Sequence, residues 1–142
     1  MPRDFKFTLL KCRIHSLTFR AKSKAPQGKI PINLTISHKY TYDYKSKTIA
    51  VLISASVNDK GVPFFLEVEY EGLFTLNKRV SKKDVEPIAQ INCPAILFPF
   101  LREAVAEITR RGGFNPLMLP VINFVQSAKE RKAKTTPQSD DS

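Results

Sequence analysis

The stretch Ile30-Pro31-Ile32-Asn33-Leu34-Thr35-Ile36-Ser37-His38-Lys39-Tyr40-Thr41-Tyr42-Asp43-Tyr44 decides how the rest of the chain is read. Ile30, Ile32, Leu34, Ile36, His38, Tyr40, Tyr42 and Tyr44 share one parity, and Asn33, Thr35, Ser37, Lys39, Thr41 and Asp43 take the other. Side chains of a strand alternate between its faces, so this segment is a β-strand with one packed face and one wet face. Antiparallel sheets solvated on one side carry that pattern.

Three more segments alternate around it. Residues 5–19 place Phe5, Phe7 and Leu9 in one phase, Leu10, Cys12 and Ile14 in the next, and Leu17 and Phe19 in a third. Two phase changes in one long strand predict bulges or bends. The polar segment from Ala21 to Lys29, broken by Pro26 and Gly28, reads as a loop. Ile49, Val51, Ile53, Ala55 and Val57 repeat the alternation, and Asn58-Asp59-Lys60-Gly61 follows as a turn. In residues 63–76, Phe64, Leu66, Val68 and Tyr70 oppose Glu67, Glu69 and Glu71, and Gly72 is expected to interrupt the parity before Leu73-Phe74-Thr75-Leu76.

The second half changes period. Asn92-Cys93-Pro94 reads as a helix start, after which Leu97, Leu101, Ala104, Val105 and Ile108 recur at three- and four-residue spacing. Pro99 predicts a kink or a delayed start, and Gly112-Gly113 predicts the end. Residues 114–124 are apolar but broken by Pro116 and Pro120, which predicts an extended loop whose side chains are buried or used. Residues 129–142 are expected to form a disordered polar tail, leaving one domain over 1–128. Strands first and a helix last make the fold class α+β.

Composition agrees with one folded domain: 142 residues, 42% hydrophobic and 25% charged. No uncharged apolar run approaches the roughly 20 residues of a membrane span, so no membrane insertion is expected. The charged start Met1-Pro2-Arg3-Asp4-Phe5-Lys6 is not a secretory signal. Cys12 and Cys93 are too few for a disulfide framework, so the expected setting is reducing and cytoplasmic. The net charge is +10, and Arg3, Lys6, Lys11, Arg13, Arg20, Lys22, Lys24 and Lys29, against Asp4 alone, supply +7 of it. Such a patch attracts polyanions, nucleic acid among them. Phe5, Phe7 and Phe19 follow the core parity, however, and leave few surface aromatics for base stacking.

Catalytic motifs are missing from the sequence. It has no glycine-rich phosphate loop, Gly-x-Ser-x-Gly, His-x-x-x-His or Cys-x-x-Cys. His38 reads as a packed strand residue, and Cys12 and His15 tend to face opposite ways on a strand. Glu67, Glu69 and Glu71 read as a solvated stripe, and Arg110-Arg111-Gly112-Gly113 as a helix terminus with favourable dipole charges. The expectation is a non-enzyme with no metal or cofactor. One helix of about 15 residues covers only part of a four-stranded sheet, so the remaining apolar surface goes to a partner subunit or an apolar ligand.

Cys93-Pro94-Ala95-Ile96-Leu97-Phe98-Pro99-Phe100-Leu101-Arg102-Glu103, then Arg111-Gly112-Gly113-Phe114, Leu117-Met118-Leu119 and Val121-Ile122-Asn123-Phe124, resembles the signature of the SecB protein-export chaperones. Phe65-Leu66-Glu67-Val68 with Glu71-Gly72-Leu73-Phe74 is similar to that family's last strand, and Leu17-Thr18-Phe19 to the end of its first. The resemblance implies a four-stranded antiparallel sheet with a crossover between strands one and two, packed by one main C-terminal helix. It also implies a homotetramer built as a dimer of dimers. Its members bind unfolded polypeptides without ATP in exposed apolar grooves and keep preproteins competent for translocation by SecA. The alternative is a SecB-like chaperone dedicated to one client, such as an antitoxin. Under this resemblance the groove is assigned to Ile32, Leu34, Ile36, Leu117, Leu119, Ile122 and Phe124. Leu97, Leu101, Ala104, Val105 and Ile108 go to helix–sheet and subunit contacts. Two departures stand out. Val125 to Lys132 is short and basic where the family has an apolar second helix, and the translocase-docking positions read Ser16, Arg20 and Glu67, with only the last acidic.

Overall fold

The computed structural model describes residues 5–22 and 32–135. Ile30, most of the expected 21–29 loop and residues 136–142 lie outside them. Four strands, β1 (Phe7–Ala21), β2 (Leu34–Asp43), β3 (Thr48–Val57) and β4 (Phe64–Leu76), form one antiparallel sheet in the order β1-β4-β3-β2. Strands β2, β3 and β4 therefore make a meander, while β1 lies beyond β4 and is linked to β2 by the expected crossover. A short helix α1 (Lys82–Pro87), a π-helical turn (Ile88–Asn92), the long helix α2 (Cys93–Arg111) and α3 (Phe124–Thr135) complete the chain.

The two phase changes in β1 are bulges. Its register against β4 slips between Leu9 and Lys11 and again between Ile14 and Ser16. Each extra residue keeps the apolar set on one side, so Phe7, Leu9, Cys12, Ile14, Leu17 and Phe19 stand opposite Leu76, Phe74, Gly72, Tyr70, Val68 and Leu66.

Gly72 does not interrupt the parity of β4. Phe64, Leu66, Val68, Gly72, Phe74 and Leu76 form one continuous buried set. The glycine is there because α2 crosses at this point: a Cβ on Gly72 would lie 2.6 Å from Leu97 Cδ2. Pro99 does not delay α2, which is helical from Cys93 onward. Leu97 and Leu101, on either side of it, are fully buried. Each gains about 1.5–3 kcal/mol from burial, which together offsets the roughly 3 kcal/mol that an internal proline costs. The core lies between α2 and the middle strands, where Ile49, Val51, Ile53, Leu66, Val68 and Phe74 meet Leu97, Leu101 and Val105.

The C-terminal end differs from the expected loop and tail. The Asn123 side chain accepts from the Gln126 amide at 3.0 Å, a cap that starts α3 at Phe124. The helix runs past residue 128 and keeps the segment read as tail helical as far as Thr135. At the other end of the sheet, the β3–β4 turn grips the chain on both sides of the crossover. The Lys22 Nζ donates to the Asp59 carbonyl at 2.8 Å, and the Asn33 amide donates to the Asp59 carboxylate at 2.7 Å. No helix among the described residues is long and apolar enough to cross a membrane.

Candidate functional site

Residues 112–123 connect α2 to α3 and are held at several points. Gly112 ends the helix with its amide on the Ile108 carbonyl, and Gly113 takes a left-handed φ of 90°. Phe114 enters a ring cluster with its centroid 5.0 Å from Phe64 and 6.3 Å from Phe19. Thr109 is fully buried; its hydroxyl donates to the Val105 carbonyl at 2.8 Å and accepts the Leu117 amide at 2.9 Å. Leu119 is buried in the core, and Phe124 lies 5.8 Å from both the His38 and Phe98 rings. Pro116 and Pro120 lack the amides that would let this segment close into a helix.

Between these anchors the connector displays what it does not bury. Met118 is 56% and Val121 89% exposed. With Ile122 and Phe124 they form one wall of a cleft of about 520 Å³, and Ala95, Phe98, Pro99 and Ala106 of α2 form the other. Arg102 and Glu103 supply its polar edge, and Arg102 Nε is buried with no hydrogen-bond acceptor among the described residues. Thr109→Val removes the acceptor for the buried Leu117 amide, and is expected to lower stability by about 1–3 kcal/mol. Thr109→Ser is expected to retain most of it; urea midpoints of the two variants check this.

Of the residues assigned to a groove, Ile122 and Phe124 line this cleft. Leu119 does not: it is 1% exposed, because it anchors the connector from beneath. Leu117 is half-buried against the core. Leu34 and Ile36 pack on the core from β2, and Ile32 is exposed just before that strand; none of the three lines the cleft. The strand approaches it only through His38, which abuts Phe124. Leu97, Leu101 and Val105 are fully buried, and Ala104 and Ile108 partly so. Ser16, Arg20 and Glu67 map to the sheet surface facing away from α2, where the Arg20 guanidinium sits 5.5 Å over the Phe65 ring and Glu67 stands opposite Thr18.

Sequence reasoning missed the α2 wall. Ala95, Phe98, Arg102 and Ala106 recur at three- and four-residue spacing, a second stripe beside the first. A third flank carries Ile96 and Phe100, each 38% exposed, with Phe100 stacked on Tyr70 at 5.8 Å. Ile14 and Leu17 lie exposed on the neighbouring free strand β1.

The reactive groups are otherwise occupied. Burial pushes the Cys93 thiol up to about 12, which leaves no thiolate at neutral pH. His15 turns its Nδ1 toward Glu71 at 3.0 Å. Among the described residues, no group of three or more His, Cys, Asp or Glu could hold a metal ion.

A family model described as preprotein translocase subunit SecB matches residues 12–135. The protein-export protein SecB of Orientia tsutsugamushi (strain Boryong) is 35% identical over 111 residues, 78% of this chain and 66%, just under two thirds, of that protein. That of Afipia carboxidovorans is 36% identical over 121 residues, covering 85% of this chain and 73% of the relative. Among solved structures, a SecB-like chaperone of Mycobacterium tuberculosis, in complex with a peptide from an antitoxin, shares the fold. Its TM-score is 0.69 at 18% identity, covering 82% of this chain and 90% of that one. With a profile match across most of its length, and the sheet, crossover and packed helix that the profile's signature implies, the chain belongs to the SecB family of preprotein translocase subunits.

Proposed function

We propose that this chain is an ATP-independent chaperone that holds unfolded or non-native polypeptides in the cleft between α2 and the connector and keeps preproteins competent for export. The observation that carries the reading is the pair Met118 and Val121, solvent-exposed yet held over an apolar wall by anchors beneath them. Apolar burial contributes about 25 cal/mol per Å² whatever the client's sequence, which suits a holder of many chains. Arg102 Nε offers a hydrogen bond to a client's main-chain carbonyl, a contact equally independent of sequence. Ile32 adds apolar surface at the start of β2.

A homotetramer, assembled as a dimer of dimers, completes this reading. Ile14, Leu17, Ile96 and Phe100 lie exposed beside the unpaired edge of β1, and both features call for cover. Transfer of clients to SecA, in the cytoplasm, is the step that follows holding. Ser16, Arg20 and Glu67 give the outer sheet face a mixed rather than acidic docking surface for it.

The test is aggregation of a reduced, unfolded model substrate. Stoichiometric amounts of this protein are expected to suppress light scattering without nucleotide; undiminished scattering at a large excess overturns the proposal. Pull-downs from cytosol separate a general export role, with many precursors, from service to a single client such as an antitoxin.

A further inference from the structure

The sheet face turned away from α2 has a second cleft, of about 460 Å³. Two rows of residues cross all four strands there: Lys11, Leu73, Ala50 and Thr41 in one, and Arg13, Glu71, Leu52 and Lys39 in the other. Three strand spacings make each row roughly 14 Å long. Leu73, Ala50 and Leu52 form an apolar floor, and the small methyl of Ala50 between two leucines leaves the hollow. The two ends are basic, with Lys11 and Arg13 on β1 and Lys39 on β2.

Glu71 is the one carboxylate among the lining residues, and it is already engaged. Arg13 Nε donates to it, and His15, the extra residue of the second β1 bulge, closes on it. The Arg13 hydrogen bond holds the Glu71 carboxyl below the usual range, so it remains the ionised partner of that pair. Lys11 and Lys39 have no ion-pair partner among the described residues. Three permanent cations thus face a single, occupied carboxylate across an apolar floor.

We propose that this cleft binds an extended acidic polypeptide segment, with an apolar side chain on the Ala50–Leu52–Leu73 floor and carboxylates at Lys11 and Lys39. An extended chain advances about 3.3 Å per residue, so acids about four residues apart span the two basic ends. Nucleic acid is the poorer fit because the floor has no aromatic ring to stack on a base. This site gives a delivery or regulatory partner of the proposed chaperone a definite chemistry. It does not depend on the client cleft, which lies on the opposite side of the sheet.

The probe is a fluorescently labelled peptide, Ser-Glu-Glu-Leu-Glu-Leu-Glu-Glu-Ser, titrated with the full chain. Saturable binding is expected, weakened roughly tenfold or more by Lys39→Glu and by Leu52→Asp. Lys83→Glu makes the same charge change on α1, outside the cleft, and is expected to stay within about twofold. Met118→Glu with Val121→Glu should also leave this binding intact. The proposal is overturned if a lysine-for-glutamate peptide binds equally well or if Lys83→Glu weakens binding as much as Lys39→Glu. It is equally overturned if only oleate or a single-stranded oligonucleotide binds. A protein that suppresses aggregation but ignores the acidic peptide refutes this site alone. One that binds the peptide but holds no client refutes the client cleft alone.

Discussion

Leu97→Ala is expected to destabilise the chain by about 2–5 kcal/mol and Gly72→Ala by about 1–3 kcal/mol, while the double variant loses clearly less than their sum. The first deletes a fully buried side chain and leaves a cavity beneath α2. The second pushes a methyl group to 2.6 Å from Leu97 Cδ2, with a further Leu97 atom at 3.1 Å, so helix or strand must yield. Together the added methyl occupies part of the space that the leucine vacates. Urea midpoints at constant slope give the three values. Strict additivity would show that Gly72 has its place for a reason other than the approach of Leu97.

The larger functional effect is expected from Met118→Glu with Val121→Glu. Both side chains are solvent-exposed in the chain itself, so the thermal midpoint should move by no more than about 1–2 °C. A client, in contrast, would lose two apolar contacts worth about 1.5–3 kcal/mol each at full burial and would meet two desolvated carboxylates. Suppression of aggregation should therefore require at least roughly tenfold more protein. An unchanged suppression curve with an unchanged midpoint places client binding elsewhere on the molecule.

The strands and the helix were legible because each depends on periodicity, which is local. Even the β1 bulges could be read, since each leaves a parity slip in the sequence at Leu10 and beyond Ile14. The crossover could not be read from pattern: nothing in the sequence of β1 says that it pairs with β4, and that expectation came with the SecB resemblance. Gly72 was misread because a glycine within a strand has two meanings, and Leu97, far along the chain, decides between them. The cleft was half legible. Pro116 and Pro120 announced an apolar connector, but which of its side chains would show depended on which were claimed by the core. Leu119 was claimed, and so Met118 and Val121 were left outside. The hydroxyl of Thr109 fixed the connector through a hydrogen bond that leaves no periodic trace. The helix at Phe124–Thr135 was missed because its basic sequence gives little apolar pattern and only Asn123 marks its start.

The grip of Asp59 on Lys22 and Asn33 has a consequence in time. Strands β2, β3 and β4 pair with sequence neighbours across short turns, whereas every β1 partner, from Phe64 back to Leu76, lies far along the chain. Closing that long loop is an entropic delay, and the point that captures its two ends exists only once the β3–β4 hairpin has formed. The meander therefore precedes β1 on the folding pathway. The edge that a second copy would meet is the last part of the sheet to appear, so assembly waits on the slowest step of folding.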